Sequence, residues 1–497
     1  MKNFIVIFFF VLFFTQGRAQ LSVDDSIART NFFSEEKKIS QSFNTYFNRN
    51  ISVLYGLDEK EFITLIDSLH TTFTGPLDKL RVTNPGIGKQ FFEEQYTDLD
   101  YTFNKFILDY PPVHKRITGK ETTLSKTINK RLQKVSISDP NLLRYSAFRK
   151  YLGSLLEQAL DKELKINQDK YKLSNNQRLD AGLAVINSLF KNTEIRSRMR
   201  YEILYNHIDN YGIKGIEKQL QDFSRQCTDQ SLVFRIDSLY GDETNNRKAH
   251  VIEPYKEIGT HNLDLHIFLP KDNLKKHPTI VFFHGGGWSE GKPDWFFGSC
   301  EEYAQKGWVA VAVEYRVRNR HGNLPPDAIA DGKSAIRYLR INANRLGISS
   351  NKIVASGNSA GANLALALAV IDTLDETKEN QDISSRPNAL ILNSVAPDFT
   401  QGDFWQQYFK NKDFLKRISP LDQIRPNLPQ ILIIQGNQDH NVPLEPVIEF
   451  AKKMKAAGND CELHILDGAG HFLWYDRNYS SKIGEFQTSF LKRLGYR

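Results

Sequence analysis

Two hydrophobic rhythms divide this chain. From about Asp24 to Asn245, apolar residues recur at three- and four-residue intervals, as in Phe62-Leu65-Ile66-Leu69 and Leu152-Leu155-Leu156-Ala159, and the helix-like spacing continues from Ile203-Ile208 onward. That is the spacing of one face of an α-helix. Gly75-Pro76, Asn84-Pro85-Gly86, Pro111-Pro112 and Asp139-Pro140 are expected to break the stretch into several helices. From Val251 onward the rhythm changes to short unbroken apolar runs at Thr279–Phe283, Trp308–Val313, Ile353–Ala355, Leu390–Leu392 and Ile431–Ile434. Such runs belong to strands covered on both faces. Helix-like stretches lie between and after them, at Ala328–Leu346, Ala360–Ile371, Pro446–Ala457 and Ser481–Leu494. The alternation predicts an α/β fold over 251–497, a mostly parallel sheet with helices on both faces, preceded by an all-α helical domain over 24–245. The helical stretch has no period-2 strand arrays, which argues against a β-propeller.

Residues 1–19 stand outside this scheme. Lys2 precedes the apolar run Phe4–Phe14, and Gly17-Arg18-Ala19 offers small residues at both cleavage-determining positions. This pattern predicts a secretory signal peptide, and hence an exported protein, periplasmic or extracellular. A membrane span takes about 20 apolar residues, so no stable span is expected after cleavage; an uncleaved anchor is the alternative. No cysteine stands near the cleavage site to carry a lipid.

Composition narrows the field further. Lys and Arg number 65 against 58 Asp and Glu, a formal charge of +7 that drops by two when Lys2 and Arg18 leave. The excess is mild and spread along the chain, so a nucleic-acid partner is not expected. Export favours disulfides, yet the chain has only Cys227, Cys300 and Cys461, widely separated. They read as buried or idle, with one pair left open. No Cys-x-x-Cys occurs and no Cys/His cluster has metal-ligand spacing, so no metal or organic cofactor is implied.

The chemistry is concentrated in two glycine-rich stretches, His284-Gly285-Gly286-Gly287-Trp288 and Gly357-Asn358-Ser359-Ala360-Gly361. Each follows a strand-like run, and the second leads straight into a helix-like segment. That is the context of an oxyanion loop and a nucleophile elbow. Gly357 and Gly361 leave room for a strained turn that presents Ser359 at a strand end. The N–H of Ala360, at a helix start, is free to point at a developing oxyanion, and the Gly285–Gly287 loop can bring further N–H groups to the same spot. Removing one such donor typically costs about 2.7–4 kcal/mol of transition-state stabilisation.

An attacking serine needs a base, and the base an orienting carboxylate. Three histidines follow Ser359. His464 reads as a strand residue, His440 sits in the loop Gly436–His440, and His471 lies in the flexible loop Gly468–Phe472. His471 is the preferred base and His440 its rival. Asp439, just past the strand Gln430–Gln435, is the preferred acid over Asp467, Asp398 and Glu445. Trp288 and Asn358 are the substrate-contacting candidates, and Phe399, Phe404 and Trp405 a second pocket wall. His114 and His207 carry no distinguishing spacing and are expected to be solvated.

On these residues the region from about Val251 to Arg497 resembles an α/β-hydrolase, and within that fold the hormone-sensitive-lipase-like and acetyl-esterase-like carboxylesterases. Thr279–Ser289 is similar to their oxyanion motif, Gly357–Gly361 to their elbow, Gly436–Pro443 to their acid loop and Gly468–Phe472 to their histidine loop. The resemblance implies Ser359, Asp439 and His471 as catalytic residues and the N–H groups of Gly285, Gly286 and Ala360 as oxyanion donors. It implies a serine carboxylesterase of short-acyl esters, with acetyl groups on carbohydrates as one substrate class. The family's usual helical cap is missing ahead of the hydrolase region. A cap would have to come from the helical domain or from the insert around Asp398–Asn427. That helical domain reads as a spacer or a module for a protein partner. Two rival readings are a serine peptidase of the prolyl-oligopeptidase type and a non-catalytic binding protein on a hydrolase scaffold.

Overall fold

The computed structural model describes residues 23–496 other than 173, 260, 273, 401–408 and 410, and their side chains except at 23 and 35–49. The expected signal peptide, Phe404 and Trp405 lie outside the described residues.

Eight strands form one sheet: β1 (Val251–Ile258), β2 (His261–Phe268), β3 (His277–Phe283), β4 (Val309–Val313), β5 (Ile348–Asn358), β6 (Ala389–Asn393), β7 (Gln430–Gly436) and β8 (Cys461–Leu466). Their spatial order is β1-β2-β4-β3-β5-β6-β7-β8. The pairs β1/β2 and β2/β4 are antiparallel, and every pair from β4 to β8 is parallel. The unbroken apolar runs have a simple origin. Successive side chains point to opposite faces, and both faces are covered. Val281, Phe283, Val309 and Val311 pack into one core with the helices Pro325–Ile341, Ala360–Val370 and Leu444–Ala456. Ile280, Phe282, Ala310 and Ala312 pack into a second core with the helices Phe297–Gln305 and Arg477–Arg493. Helix Ala360–Val370 is buried at all its positions, which explains a sequence apolar all the way round. The parallel order brings the C-terminal ends of β3, β5, β6, β7 and β8 to one edge of the sheet.

Among the described residues, the segment before β1 contains helices and no strand, running from Val23–Gly56 to Gln230–Asn246. Two of the expected breaks do not occur. Pro76 lies inside helix Glu59–Thr83, and Pro111 and Pro112 lie inside helix Lys89–Thr118. A proline within a helix frees the carbonyl four residues earlier. Gln158 Nε2, from helix Ser146–Ile166, donates to Leu108 O at 2.7 Å, the carbonyl that Pro112 leaves without a partner. Thr72, the residue freed by Pro76, is exposed, so its carbonyl is open to water. Meanwhile Phe73, Leu77 and Leu80 hold the proline-containing helix in its core.

His114 and His207 are buried rather than solvated. His114 Nδ1 lies 2.7 Å from Tyr55 O. His207 lies against Tyr211, and burial, with the nearby Arg320 charge, lowers its pKa to about 3. The two halves of the chain meet through ionic contacts. Lys214 Nζ donates to Asn262 O and Asp264 of β2 and to Glu314 just past β4, at 2.5, 2.6 and 3.0 Å. Burial alone would raise Glu314, but Arg320 and Lys214 hold it well below the usual carboxylate range. Cys227, Cys300 and Cys461 are all free and buried. Among the described residues no helix is long and apolar enough to cross a membrane.

Candidate active site

Ser359 stands between the last residue of β5 and the first of helix Ala360–Val370. Its backbone holds φ +54° and ψ −122°, a left-handed conformation that non-glycine residues seldom adopt and that concentrates at functional sites. The strain is held from both sides. Its N–H donates to Asn393 O of β6 at 2.9 Å, and its carbonyl accepts from Asn363 N at 2.9 Å. The flanking glycines are required by close approach. A methyl on Gly361 would lie 2.0 Å from Phe283 O and 2.4 Å from His284 O, and one on Gly357 would lie 2.5 Å from the carbonyl carbon of Gly361. The elbow is therefore pressed against the end of β3.

His471 Nε2 lies 3.0 Å from Ser359 Oγ, and His471 Nδ1 lies 2.9 Å from Asp439 Oδ2. With Nδ1–H donated to the carboxylate, Nε2 carries the lone pair that accepts from the serine hydroxyl. Asp439 is fixed by three further donors. The N–H groups of Asn441 and Val442 reach Oδ1 at 2.9 Å each, and Gln435 Nε2 reaches Oδ2 at 3.0 Å. Burial would raise the Asp439 carboxyl. The hydrogen bond and charge of His471, with the N–H groups of Val442 and Asn441, outweigh it and leave the group below its ordinary value. Asn437 ties the two loops together. Its Nδ2 donates to Asp467 at 2.7 Å, and its Oδ1 accepts from Gly468 N at 2.8 Å. Just past β6, Ser394 Oγ donates to His471 O at 2.9 Å. An imidazole so oriented can take the serine proton and later return it to a leaving group.

The glycine loop lies directly over the elbow. A methyl on Gly285 would be 3.1 Å from Asn358 O and 3.6 Å from Ser359 Cβ. Gly286 and Gly287 take φ +100° and +58°, and Gly286 O accepts from Ser289 N and Glu290 N, closing a tight turn. His284 is the turn's buried anchor. It stacks on Tyr315 with centroids 4.2 Å apart, and Tyr315 Oη donates to His284 O at 2.6 Å. Burial lowers the His284 pKa to about 4, so the ring stays neutral and packs. Ala360, first residue of its helix, has an N–H with no carbonyl one turn back.

Residues 265–454 match the BD-FAE family model. The C-terminal half is an α/β-hydrolase. The hydrolase half is 28% identical over 224 residues to Esterase LipC of Mycobacterium tuberculosis, covering 40% of this chain and 53% of LipC. It is 23% identical over 254 residues to the probable isoprenylcysteine alpha-carbonyl methylesterase ICME of Oryza sativa subsp. japonica, covering 47% of this chain and 56% of that protein. The chain thus spans about half the length of the curated relatives it matches. Among solved structures, the apo form of Thermogutta terrifontis esterase 2 is 36% identical, with a TM-score of 0.47, covering 50% of this chain and 96% of its own.

Not every residue singled out from the sequence comes to the surface of the hydrolase half. Trp288 is 2% exposed and packs in the core. Its φ of +62° belongs to the turn that buries it, and its carbonyl accepts from Arg318 N at 3.0 Å. Asn358 is also buried, and its Oδ1 accepts from Asn393 Nδ2 at 2.9 Å, joining β5 to β6. Phe399 is fully buried too. His440 is exposed, and His464 of β8 stacks on Phe486. Asp467 serves Asn437, and Asp398 accepts from Thr400 N and Oγ1 at 2.8 and 2.6 Å. Glu445 is in the first turn of its helix. The rings beside His471 belong to residues not singled out. Phe472 and Trp474 lie 5.1 and 5.7 Å from the imidazole, and Phe472 is 51% exposed. Among the described residues, no group of three or more His, Cys, Asp or Glu is placed to hold a metal ion.

Proposed function

We propose that this chain is an exported serine carboxylesterase of short-acyl esters, with acetyl groups on carbohydrates as its leading substrate class. The observation that carries the reading is the hydrogen-bonded series Asp439–His471–Ser359, ending on a strained serine beneath a glycine loop.

In this mechanism His471 Nε2 takes the Ser359 proton as Oγ attacks the ester carbonyl. Asp439 holds the imidazole and stabilises its cation. The N–H groups of Gly285, Gly286 and Ala360 receive the oxyanion, and the proximity of Gly285 to Ser359 supports that assignment. His471 then protonates the departing alcohol, and water, activated by the same imidazole, frees the acid from the acyl-enzyme. Exposed Phe472, adjoining His471, is the ring best situated to meet the alcohol as it leaves. The esterase and methylesterase names of the relatives support small ester substrates. Export rests on the Lys2 to Ala19 pattern.

The reading is tested with p-nitrophenyl acetate, butyrate and octanoate, acetylated sugars, Pro-containing peptide amides and a fluorophosphonate probe. Hydrolysis of acetate and butyrate, with labelling that Ser359→Ala abolishes, is expected. Equal labelling of Ser359→Ala, or peptide cleavage without ester hydrolysis, would refute it. N-terminal sequencing of the protein recovered outside the cytoplasm tests export; a chain retaining Lys2 contradicts cleavage.

A further inference from the structure

We infer that the helical half positions the oxyanion loop, through the C-terminal ends of helices Thr193–Tyr211 and Gln230–Asn246. The inference rests on the esterase reading above.

The contact is made at the far side of the glycine turn. Gly291 N donates to Asn210 O at 2.9 Å, and the buried Lys292 Nζ donates to Ile208 O at 3.2 Å. Both acceptors belong to the last turn of helix Thr193–Tyr211. Carbonyls there carry the negative end of the helix dipole, which favours an ammonium group, and Ile208 O takes Lys292 in addition to the Gly212 N–H that caps the helix at 3.1 Å. Lys292 Nζ also donates to Glu243 Oε1, in helix Gln230–Asn246, at 2.6 Å. A third tie runs through Tyr211, whose Oη accepts from Asn319 Nδ2 at 3.1 Å while Asn319 N donates to Ser289 O at 3.0 Å.

These ties bear directly on the oxyanion donors. Gly291 has φ +119°, and a methyl there would fall 2.2 Å from His284 Nδ1 and 2.8 Å from Gly285 O. Gly291 is thus wedged between Asn210 on one side and the His284 ring and Gly285 carbonyl on the other. On the next strand of the turn, Glu290 O would lie 2.0 Å from a methyl on Gly286. A shift of residues 290–292 must therefore move Gly285 and Gly286, whose N–H groups need donor geometry within a few tenths of an ångström. The loop contains three glycines and would otherwise sample many conformations. Asn210, Lys292 and Glu243 are positioning residues in this account, since none reaches the reacting atoms.

The test is steady-state kinetics on p-nitrophenyl acetate, with affinity for phenylboronic acid as a probe of oxyanion binding, in the full chain. Lys292→Met is expected to lower kcat about tenfold or more with KM changed less than twofold, because only the transition state uses the oxyanion donors. Boronic acid affinity should fall by the same factor as kcat/KM, and Lys292→Arg should restore part of both. Glu243→Gln and Tyr211→Phe, which preserve shape, carry the same test should Lys292→Met fail to fold, with a smaller loss of kcat expected. Folded variants with wild-type kcat, or a loss confined to KM, overturn the inference. Wild-type protein that hydrolyses no ester and takes no fluorophosphonate would instead sink the esterase reading on which it stands.

Discussion

Replacing Asp439 with Asn alters a single atom and should disable the site while leaving the fold in place. The Oδ1 acceptor can be kept, so the N–H groups of Asn441 and Val442, both at 2.9 Å, retain their partner. The new amide nitrogen then falls at the position of Oδ2, facing Gln435 Nε2 at 3.0 Å and His471 Nδ1 at 2.9 Å. Donor meets donor at both contacts, and Oδ1, 3.1 Å from His471 Nδ1, already has its two lone pairs engaged by Asn441 and Val442. The imidazole can relieve its own conflict by moving its proton from Nδ1 to Nε2. An Nε2–H directed at Ser359 Oγ, 3.0 Å away, cannot accept the hydroxyl proton. The equivalent tautomer change in a serine protease triad costs about 10⁴ in kcat, or about 5.5 kcal/mol at roughly 1.36 kcal/mol per tenfold. Gln435 Nε2, left with only Val442 O at 3.5 Å, adds a stability cost of about 1 kcal/mol. Turnover of p-nitrophenyl acetate by wild-type and Asp439→Asn protein, alongside urea unfolding of each, separates the two effects. A folded Asp439→Asn protein within tenfold of wild-type kcat would refute the tautomer argument and return the role of acid to another carboxylate.

Gly361→Ala places a methyl 2.0 Å from Phe283 O, a backbone atom that cannot swing aside; a loss of about 3 kcal/mol or more in urea unfolding, or no folded protein, is expected, and near-wild-type stability would contradict the close approach. Gln158→Ala removes the donor to Leu108 O, so unfolding free energy should drop by about 1 kcal/mol, whereas an unchanged midpoint would mean that water replaces it. His207 has a folded pKa of about 3, set by burial and then by Arg320. Below pH 6.5 the unfolded chain therefore takes up a proton that the folded chain refuses. Stability from this residue is present above that pH and is lost as pH falls toward 3, by about 2 kcal/mol at pH 5. His207→Phe should accordingly lose less stability between pH 7 and pH 5 than wild type, and equal losses would show that His207 does not stay neutral.

Much of the hydrolase half was legible because its signals are local. Strands buried on both faces write themselves as unbroken apolar runs, as Thr279–Phe283 and Ile431–Ile434 do. The spacing of Gly357 and Gly361 about Ser359 records a steric demand that only glycine meets. What stayed hidden depends on partners distant in the chain. Pro111 and Pro112 look like a break until Gln158 comes within reach of Leu108. Trp288 and Asn358 sit in the right motifs, yet their side chains are committed inward, one by a left-handed backbone within a core and the other by Asn393. Asn437 and Gln435 support the acid and histidine loops, but amides in loops and strand ends carry no sequence signature. Burial of His114 and His207 was equally unreadable, because it follows from how whole helices pack.

The sheet order has a consequence for how the site comes into being. Strands β5, β6, β7 and β8 lie side by side in the order in which a ribosome makes them. Ser359 arrives with β5, its N–H finds an acceptor when Asn393 of β6 pairs beside it, Asp439 follows β7, and His471 follows β8. A nascent or truncated chain therefore holds a serine with no base. On the proposed esterase mechanism Ser359 would gain its base only with the last parallel pairing, so a half-made molecule would lack the activated nucleophile.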